Sequence, residues 1–340
     1  MNNWVHGKLE ALNCCPACYA DAEQATRYSR MDDYLSFPDT WHMHQCKSCR
    51  SIYLNPRPDD ESLPLAYQNY YTHASVADET LLGEKIVHRL IGDYLRSRFN
   101  FNAKKPIFGG RYIFRMVFPL RMKLDVYGRH IPKSMCNETT RLLDLGCGNG
   151  DFLLRAQAMG IDVTGLEPDP VAVEAMRARG LKVTQGDLKT LLLEGAVFDY
   201  VTLNHVIEHV KSPKELLAEI YEILAPGGYV WLGLPNPNAL GIKIFKKGWK
   251  GFHPPFHLLI PSQSVLAAWL KDAGFESVVF MRRGGESQGL WREHEVIAQR
   301  EKIGPSKLLS KVLKVFVDTC SASCARYGEE TIVIARKPRG

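Results

Sequence analysis

The stretch Leu142-Leu143-Asp144-Leu145-Gly146-Cys147-Gly148-Asn149-Gly150 limits this chain more than any other feature. An apolar run broken only by Asp144 suits a buried strand. Three glycines at alternate positions suit a turn that other residues resist, and a helical pattern starts at Asp151. Alone, this is an ordinary tight strand-to-helix turn. The rest of the chain makes it one unit of a repeating plan. Short apolar runs at 141–145, 162–166, 182–185, 199–204 and 229–234 alternate with helical patterns at 151–159, 170–179 and 212–224. Ser212 and Pro213 supply an N-cap and a first helical residue. A helix at 262–273 stops at Gly274, and strands follow at 277–281 and 330–335. Seven strands with intervening helices predict an α/β fold, a Rossmann-like, doubly wound parallel sheet.

Asn55-Pro56-Arg57-Pro58 punctuates the chain and marks a boundary between residues 1–58 and the remainder. Residues 59–135 read as a helical linker or lid. They carry Tyr67, Tyr70 and Tyr71, then an amphipathic run at 81–99 in which Leu82, Ile86, Leu90 and Leu95 alternate with Arg and Lys. Residues 136–340 hold the α/β domain, with a helical insertion at 284–328. In that insertion Ser306 opens an amphipathic helix. Leu309, Val312, Leu313 and Phe316 share one face, and Lys307, Lys311 and Lys314 look outward. The pattern predicts a helix packed on the domain or on a second subunit, or a surface that meets an anionic membrane. A basic stretch at 104–133 interleaves Phe108, Tyr112, Phe114 and Phe118 with Arg and Lys, which suits an anionic partner or a solvated helix.

Cys15-Pro16-Ala17-Cys18 and Cys46-Lys47-Ser48-Cys49 form two Cys-X-X-Cys pairs. Four thiolates in two such turns suit a closed, tetrahedral, structural zinc site, so residues 1–58 read as a zinc-ribbon-like module. Cys14 is a competing ligand; free thiols or a reducible pair are the alternative. Cys136, Cys147, Cys320 and Cys324 lack such spacing and are expected to be packing residues. No basic-then-apolar leader opens the sequence. Its longest uncharged stretch, 223–242, is broken by Pro226-Gly227-Gly228 and Pro235-Asn236-Pro237. No membrane span and a cytoplasmic location are therefore expected. The net charge of +6 is uneven: residues 81–135 hold 12 Lys/Arg against 3 Asp/Glu, and 136–240 hold 8 against 14.

Glu167 ends the second predicted strand, where an acidic side chain can accept hydrogen bonds from both ribose hydroxyls of a nucleoside. The glycine loop is one residue shorter than the dinucleotide fingerprint, so no long pyrophosphate need be cradled. Five ordered stretches resemble the motifs of class I S-adenosylmethionine-dependent methyltransferases. They are 143–150, Glu167, 186–188, 198–210 and Leu224-Ala225-Pro226-Gly227-Gly228. With the double Cys-X-X-Cys module, the chain resembles bacterial methyltransferases of polysaccharide and natural-product clusters. The resemblance implies that Asp144, Gly146 and Gly148 hold the amino-acid end of S-adenosylmethionine. It further implies Glu167 on the ribose, Asp187 on the adenine amino group, Leu188 on the ring, and Asn204 and His205 beside the sulfonium. Asp187 could equally cap a helix, and Leu188 could be plain core.

Methyl transfer from a sulfonium needs chiefly an aligned acceptor, helped by a base if that acceptor is a hydroxyl. Candidate bases are His205 at the end of the fourth predicted strand and His257 in Phe256-His257-Leu258, between the fifth strand and the next helix. His209 and His253 rank behind them. The expected acceptor is a small molecule or glycan, including a saccharide in free, nucleotide-linked or lipid-linked form. An RNA methyltransferase and a non-catalytic S-adenosylmethionine-binding regulator are the alternatives. Against RNA, residues 1–60 carry 6 Lys/Arg and 8 Asp/Glu.

Overall fold

The computed structural model describes Trp4 and residues 7–31, 40–67, 85–284 and 288–340. Tyr70, Tyr71, Leu81 and Leu82 lie outside the described residues. Five short strands open the chain: β1 (Leu9–Glu10), β2 (Thr26–Met31), β3 (Thr40–Gln45), β4 (Ile52–Leu54) and β5 (Arg57–Pro58). Helices α1 (Leu63–Tyr67), α2 (Ile86–Phe99), α3 (Gly110–Met116) and α4 (Phe118–Tyr127) follow. Then come β6 (Arg141–Leu145), α5 (Asp151–Gln157), β7 (Asp162–Glu167), α6 (Pro170–Ala178), β8 (Val183–Gln185), α7 (Leu188–Leu193), β9 (Phe198–Asn204), α8 (Pro213–Ile223) and β10 (Leu224–Pro235). The remainder is α9 (Leu240–Phe245), β11 (Leu259–Ile260), α10 (Gln263–Asp272), β12 (Glu276–Met281), α11 (Gln288–Arg300), α12 (Lys307–Ser323) and β13 (Glu330–Arg336).

The main sheet has seven strands in the order β12-β13-β10-β9-β6-β7-β8, as the alternating pattern predicts. The first five strands pair in parallel, and β13 enters antiparallel between β10 and β12. The departure from an all-parallel sheet lies after the insertion, where α11 and α12 intervene and β13 returns to the sheet from its opposite end. Central strands β6 and β7 are buried on both faces, as parallel strands covered by helices must be. The strand order reverses between β6 and β9, so the loops beyond their carboxyl ends flank one crevice.

A second sheet runs β11-β4-β3-β2, all antiparallel. Its edge strand β11 comes from residues 259–260, so the N-terminal strands are completed by a segment from beyond β10. Trp41, Met43, Ile52 and Leu54 share one core with Trp249, Phe252, Phe256 and Leu258. The helical segment after residue 85 is likewise built into the core. Tyr94, Leu95 and Phe99 of α2 bury against Leu142, Leu153 and Trp231 of the α/β domain. Ser212 stands at the N-cap of α8 without a side-chain bond, whereas Ser262 accepts from Val265 N and caps α10. Cys136 and Cys147 are buried, but Cys324, just past the end of α12, is exposed.

The insertion helix α12 starts after Ser306, which accepts from Leu309 N, as expected. Its orientation differs from a helix that buries its apolar stripe. Ser310, Val317 and Ser321 face inward, and Leu308, Leu309, Val312, Val315 and Phe316 are exposed. Ser310 fixes that orientation by accepting from Trp291 Nε1 and donating to Glu295.

Candidate active site

The crevice beyond β6 and β9 is a cavity of about 1230 Å³. One end is built on the glycine turn. Gly146, Gly148 and Gly150 all have positive φ, which favours glycine. A Cβ on Gly146 would meet Val206 Cγ2 at 2.6 Å, whereas one on Gly148 finds nothing within 4 Å. The loop is therefore closed on its Gly146 side and open at Gly148, where a ligand can approach the main chain. Glu167 accepts from the amides of Gly148 (2.9 Å) and Asp169 (3.3 Å). Burial raises its pKa, and these two amides partly offset that.

Asp187 and Leu188 also line the cavity. Asp187 caps α7 by accepting from Thr190 N, and Leu188 belongs to the core, so each serves the fold as well as the cavity wall. Asn204 lies at the end of β9, over Gly233, where a Cβ would come within 2.7 Å of Asn204 Oδ1. Asp144 is placed differently from the expectation. It is not among the cavity-lining residues, because its Oδ1 is held by Arg129 Nη1 and by the Thr202 hydroxyl at 2.8 Å. The other carboxylate oxygen of Asp144, Oδ2, is buried without a hydrogen-bond partner. Arg129 carried no motif in the sequence; it is buried, with its guanidinium 3.6 Å from the Phe152 ring centroid.

Five histidines line the cavity: His205, His209, His253, His257 and His294. His205, at φ 56°, hydrogen-bonds Glu208 through Nδ1 (3.1 Å) and Glu330 through Nε2 (2.9 Å). Burial works against charge on the ring, but the side chain is still 40% exposed, and the two carboxylates push its pKa up to about 10. Burial would raise Glu330, yet Arg283 and His205 hold it down at about 2. Both ring nitrogens of His205 face carboxylates, an arrangement that favours the imidazolium over a free base.

His257 has the opposite character. Its Nδ1 donates to Gly251 O at 2.8 Å, which leaves the lone pair on Nε2, 3.8 Å from Glu208 Oε1. Burial first, then the neighbouring His209 and His253, lower its pKa well below 6.5. Glu208 is fully buried, and its Oε2 has no hydrogen-bond partner. His209 Nδ1 accepts from the Tyr67 hydroxyl at 2.9 Å, so α1 supplies part of this wall. Glu208, His209 and His257 each bring one ligand atom within 4.8 Å of the others, a grouping one cation could bridge. The sequence places Glu330 at the start of the last strand and Glu208 within the 198–210 motif, each without a role, because the contacts that define them span up to 125 residues.

The four cysteines of the two pairs converge as well. Cys15 Sγ and Cys49 Sγ are 3.7 Å apart, and Cys18 Sγ and Cys46 Sγ 3.6 Å. A tetrahedron of Zn–S bonds has edges of about 3.8 Å. The two turns are built alike. Tyr19 N donates to Cys15 O and Arg50 N to Cys46 O, and Tyr19 and Arg50 both take positive φ. Cys14 stands outside the cluster, in a bridge with Asp21.

Residues 111–279 match the family model described as a methyltransferase domain. Those residues hold strands β6–β10 and the glycine loop just described, and are similar to a methyltransferase domain. Among curated proteins, the ubiquinone biosynthesis O-methyltransferase of Xanthomonas euvesicatoria pv. vesicatoria is 29% identical over 151 residues, 40% of this chain and 62% of that protein. An uncharacterized 37.1 kDa protein of a Streptomyces fradiae transposon is 35% identical over 108 residues, 29% of this chain and 31% of that one. The chain thus spans less than two thirds of the length of either relative. Among solved structures, a SAM-dependent methyltransferase from Archaeoglobus fulgidus aligns with a TM-score of 0.42 at 19% identity, covering 66% of this chain and 94% of that chain.

Proposed function

We propose that the chain transfers a methyl group from S-adenosylmethionine to a hydroxyl of a small-molecule or glycan acceptor, such as a saccharide in free, nucleotide-linked or lipid-linked form. The observation that carries the reading is His257 Nε2, left with its lone pair by the Nδ1 bond to Gly251 O and lying 3.8 Å from Glu208 Oε1, in the same cavity as the glycine loop. Gly146 and Gly148 would hold the amino-acid end of the cofactor, Glu167 the ribose, Asp187 and Leu188 the adenine, and Asn204 the wall beside the sulfonium. Asp144 Oδ2 is the remaining free acceptor behind the loop. The bound cofactor supplies an electrophilic methyl group on an activated leaving group.

The chain's own task is then alignment and proton removal. His257 accepts the acceptor's proton at Nε2, and Glu208 stabilises the resulting imidazolium. His205 serves as a fixed positive charge held by Glu208 and Glu330, in place of the base expected from sequence. The naming of the Xanthomonas relative as an O-methyltransferase is in keeping with oxygen as the acceptor atom. We infer likewise that Cys15, Cys18, Cys46 and Cys49 hold one structural zinc ion.

Isothermal titration with S-adenosylmethionine, against Glu167→Ala, tests the cofactor reading; loss of binding in the variant is expected. A radiolabelled methyl donor offered with glycans, phenols and RNA then reports the acceptor. His257→Gln should lower turnover about 10²–10⁴-fold with cofactor affinity unchanged. Full activity in that variant removes His257 from the chemistry. Labelled RNA would favour the RNA reading, and binding without any turnover the regulatory one. The grouping of Glu208, His209 and His257 supports a second reading, in which a divalent cation holds the acceptor oxygen. Turnover abolished by chelation and restored by magnesium would favour it.

A further inference from the structure

Half of the exposed large apolar side chains among the described residues, 11 of 22, fall in two segments. Phe108, Tyr112, Ile113, Met116, Val117 and Leu120 recur at helical spacing through α3 and into α4, with Met116 85% exposed. On α12, Leu308, Leu309, Val312, Val315 and Phe316 form a second stripe, with Leu308 77% exposed. Soluble surfaces scatter such residues singly; a contiguous patch of this kind marks a contact.

The two stripes belong to neighbouring helices. α12 packs on α4, and a Cβ on Gly284 would lie 3.2 Å from Pro119 Cα and 3.2 Å from Ala322 Cβ, so the three segments meet there. The inverted orientation of α12 is held from within by the Trp291–Ser310–Glu295 hydrogen bonds, so the exposed stripe is a built feature of the fold.

Charge decides what covers this face. Between Asp93 and Asp125 the sequence has no carboxylate, and it carries eight cations: Arg96, Arg98, Lys104, Lys105, Arg111, Arg115, Arg121 and Lys123. Between Glu301 and Asp318 it has none either, with Lys302, Lys307, Lys311 and Lys314. Lys104, Lys105, Arg115, Lys123, Lys307 and Lys311 are exposed beside the apolar stripes. A second copy brought to this face would set cations against cations. A bilayer carrying anionic headgroups satisfies both components at once: acyl chains take the Leu, Val, Met and Phe side chains, and phosphates take the Lys and Arg.

We propose that the α3, α4 and α12 face docks the protein on the surface of an anionic phospholipid bilayer. The docked face adjoins the cavity. Arg282 lies over the Phe118 ring of α4 at 4.7 Å from its centroid, and the next residue, Arg283, lines the cavity and pairs with Glu330. The docking stands on the surface alone and holds whether or not the acceptor is a lipid.

Co-sedimentation of the full chain with phosphatidylcholine vesicles, with and without phosphatidylglycerol, tests it. Binding is expected to the anionic vesicles, to weaken with salt, and to fall about tenfold or more in the exposed-site variant Met116→Glu/Phe316→Glu. Unchanged thermal unfolding and S-adenosylmethionine affinity in that variant show that the fold is intact. Absence of binding to anionic vesicles at low salt overturns the proposal. So does sedimentation equilibrium showing a dimer that the same variant splits, which would assign the face to a second copy.

Discussion

At the residue scale, the pair behind the glycine loop and the histidine end of the cavity treat charge in opposite ways. Arg129 and Asp144 are both buried and paired through Asp144 Oδ1, with Thr202 bonded to both, while Asp144 Oδ2 has no partner. Breaking such a pair from one side strands a buried charge, at a cost of about 3–5 kcal/mol. Asp144→Ala should therefore lose stability of that order in chemical denaturation, and Arg129→Met/Asp144→Leu much less. A pair of equally mild effects would mean that Arg129 is solvated in solution. At the histidine end, the His205 pKa is raised to about 10, so the stability it contributes is fully present below its unfolded value of 6.5. That contribution is lost as pH rises through about 10. His205→Gln should accordingly melt below the parent at pH 6 and converge on it toward pH 10; a gap independent of pH would exclude a charged His205. Glu330, held at about 2, contributes above its unfolded value of 4.5 and loses that contribution only as pH falls toward 2.

At the scale of elements, the strands were legible because each signal is local. Residues 141–145, the helix starts at Asp151 and Pro170, and the helix opening after Ser306 were all readable from apolar period and capping residues. What local pattern cannot report is which side of a helix the fold covers. The stripe of α12 has the same period whether it faces in or out, and the choice rests on Trp291 and Glu295, 15–19 residues away. The roles of Arg129, Glu208 and Glu330 were hidden for the same reason. The cysteine turns are the opposite case: spacing alone located all four sulfurs that the fold brings together. Metal analysis should give one zinc per chain, lost in Cys46→Ser/Cys49→Ser along with a large drop in melting temperature. A metal-free protein with an unchanged melt would sink the zinc assignment.

At the scale of the whole molecule, the boundary at residue 58 divides the sequence more sharply than it divides the packing. β11 completes the N-terminal sheet, Leu54 N donates to Leu258 O, Gln45 Nε2 to Pro237 O, and Ser262 N to Ser51 Oγ. Those contacts bracket His257, and Tyr67 holds His209 across the same wall. The segment that presents the proposed base is therefore braced by the cysteine module. A shared core of Trp41, Ile52, Trp249 and Phe256 couples their unfolding. Calorimetry should show one transition for the full chain, and stripping zinc should lower that single transition instead of releasing a separate early one. Under mild chelation, methyl transfer should fail before S-adenosylmethionine binding does, since the glycine loop lies on β6 and the His257 segment lies against the cysteine module. Two well-separated transitions, or loss of cofactor binding ahead of turnover, would mean that the module and the methyltransferase sheet are independent bodies and that the module's role lies outside the active-site wall.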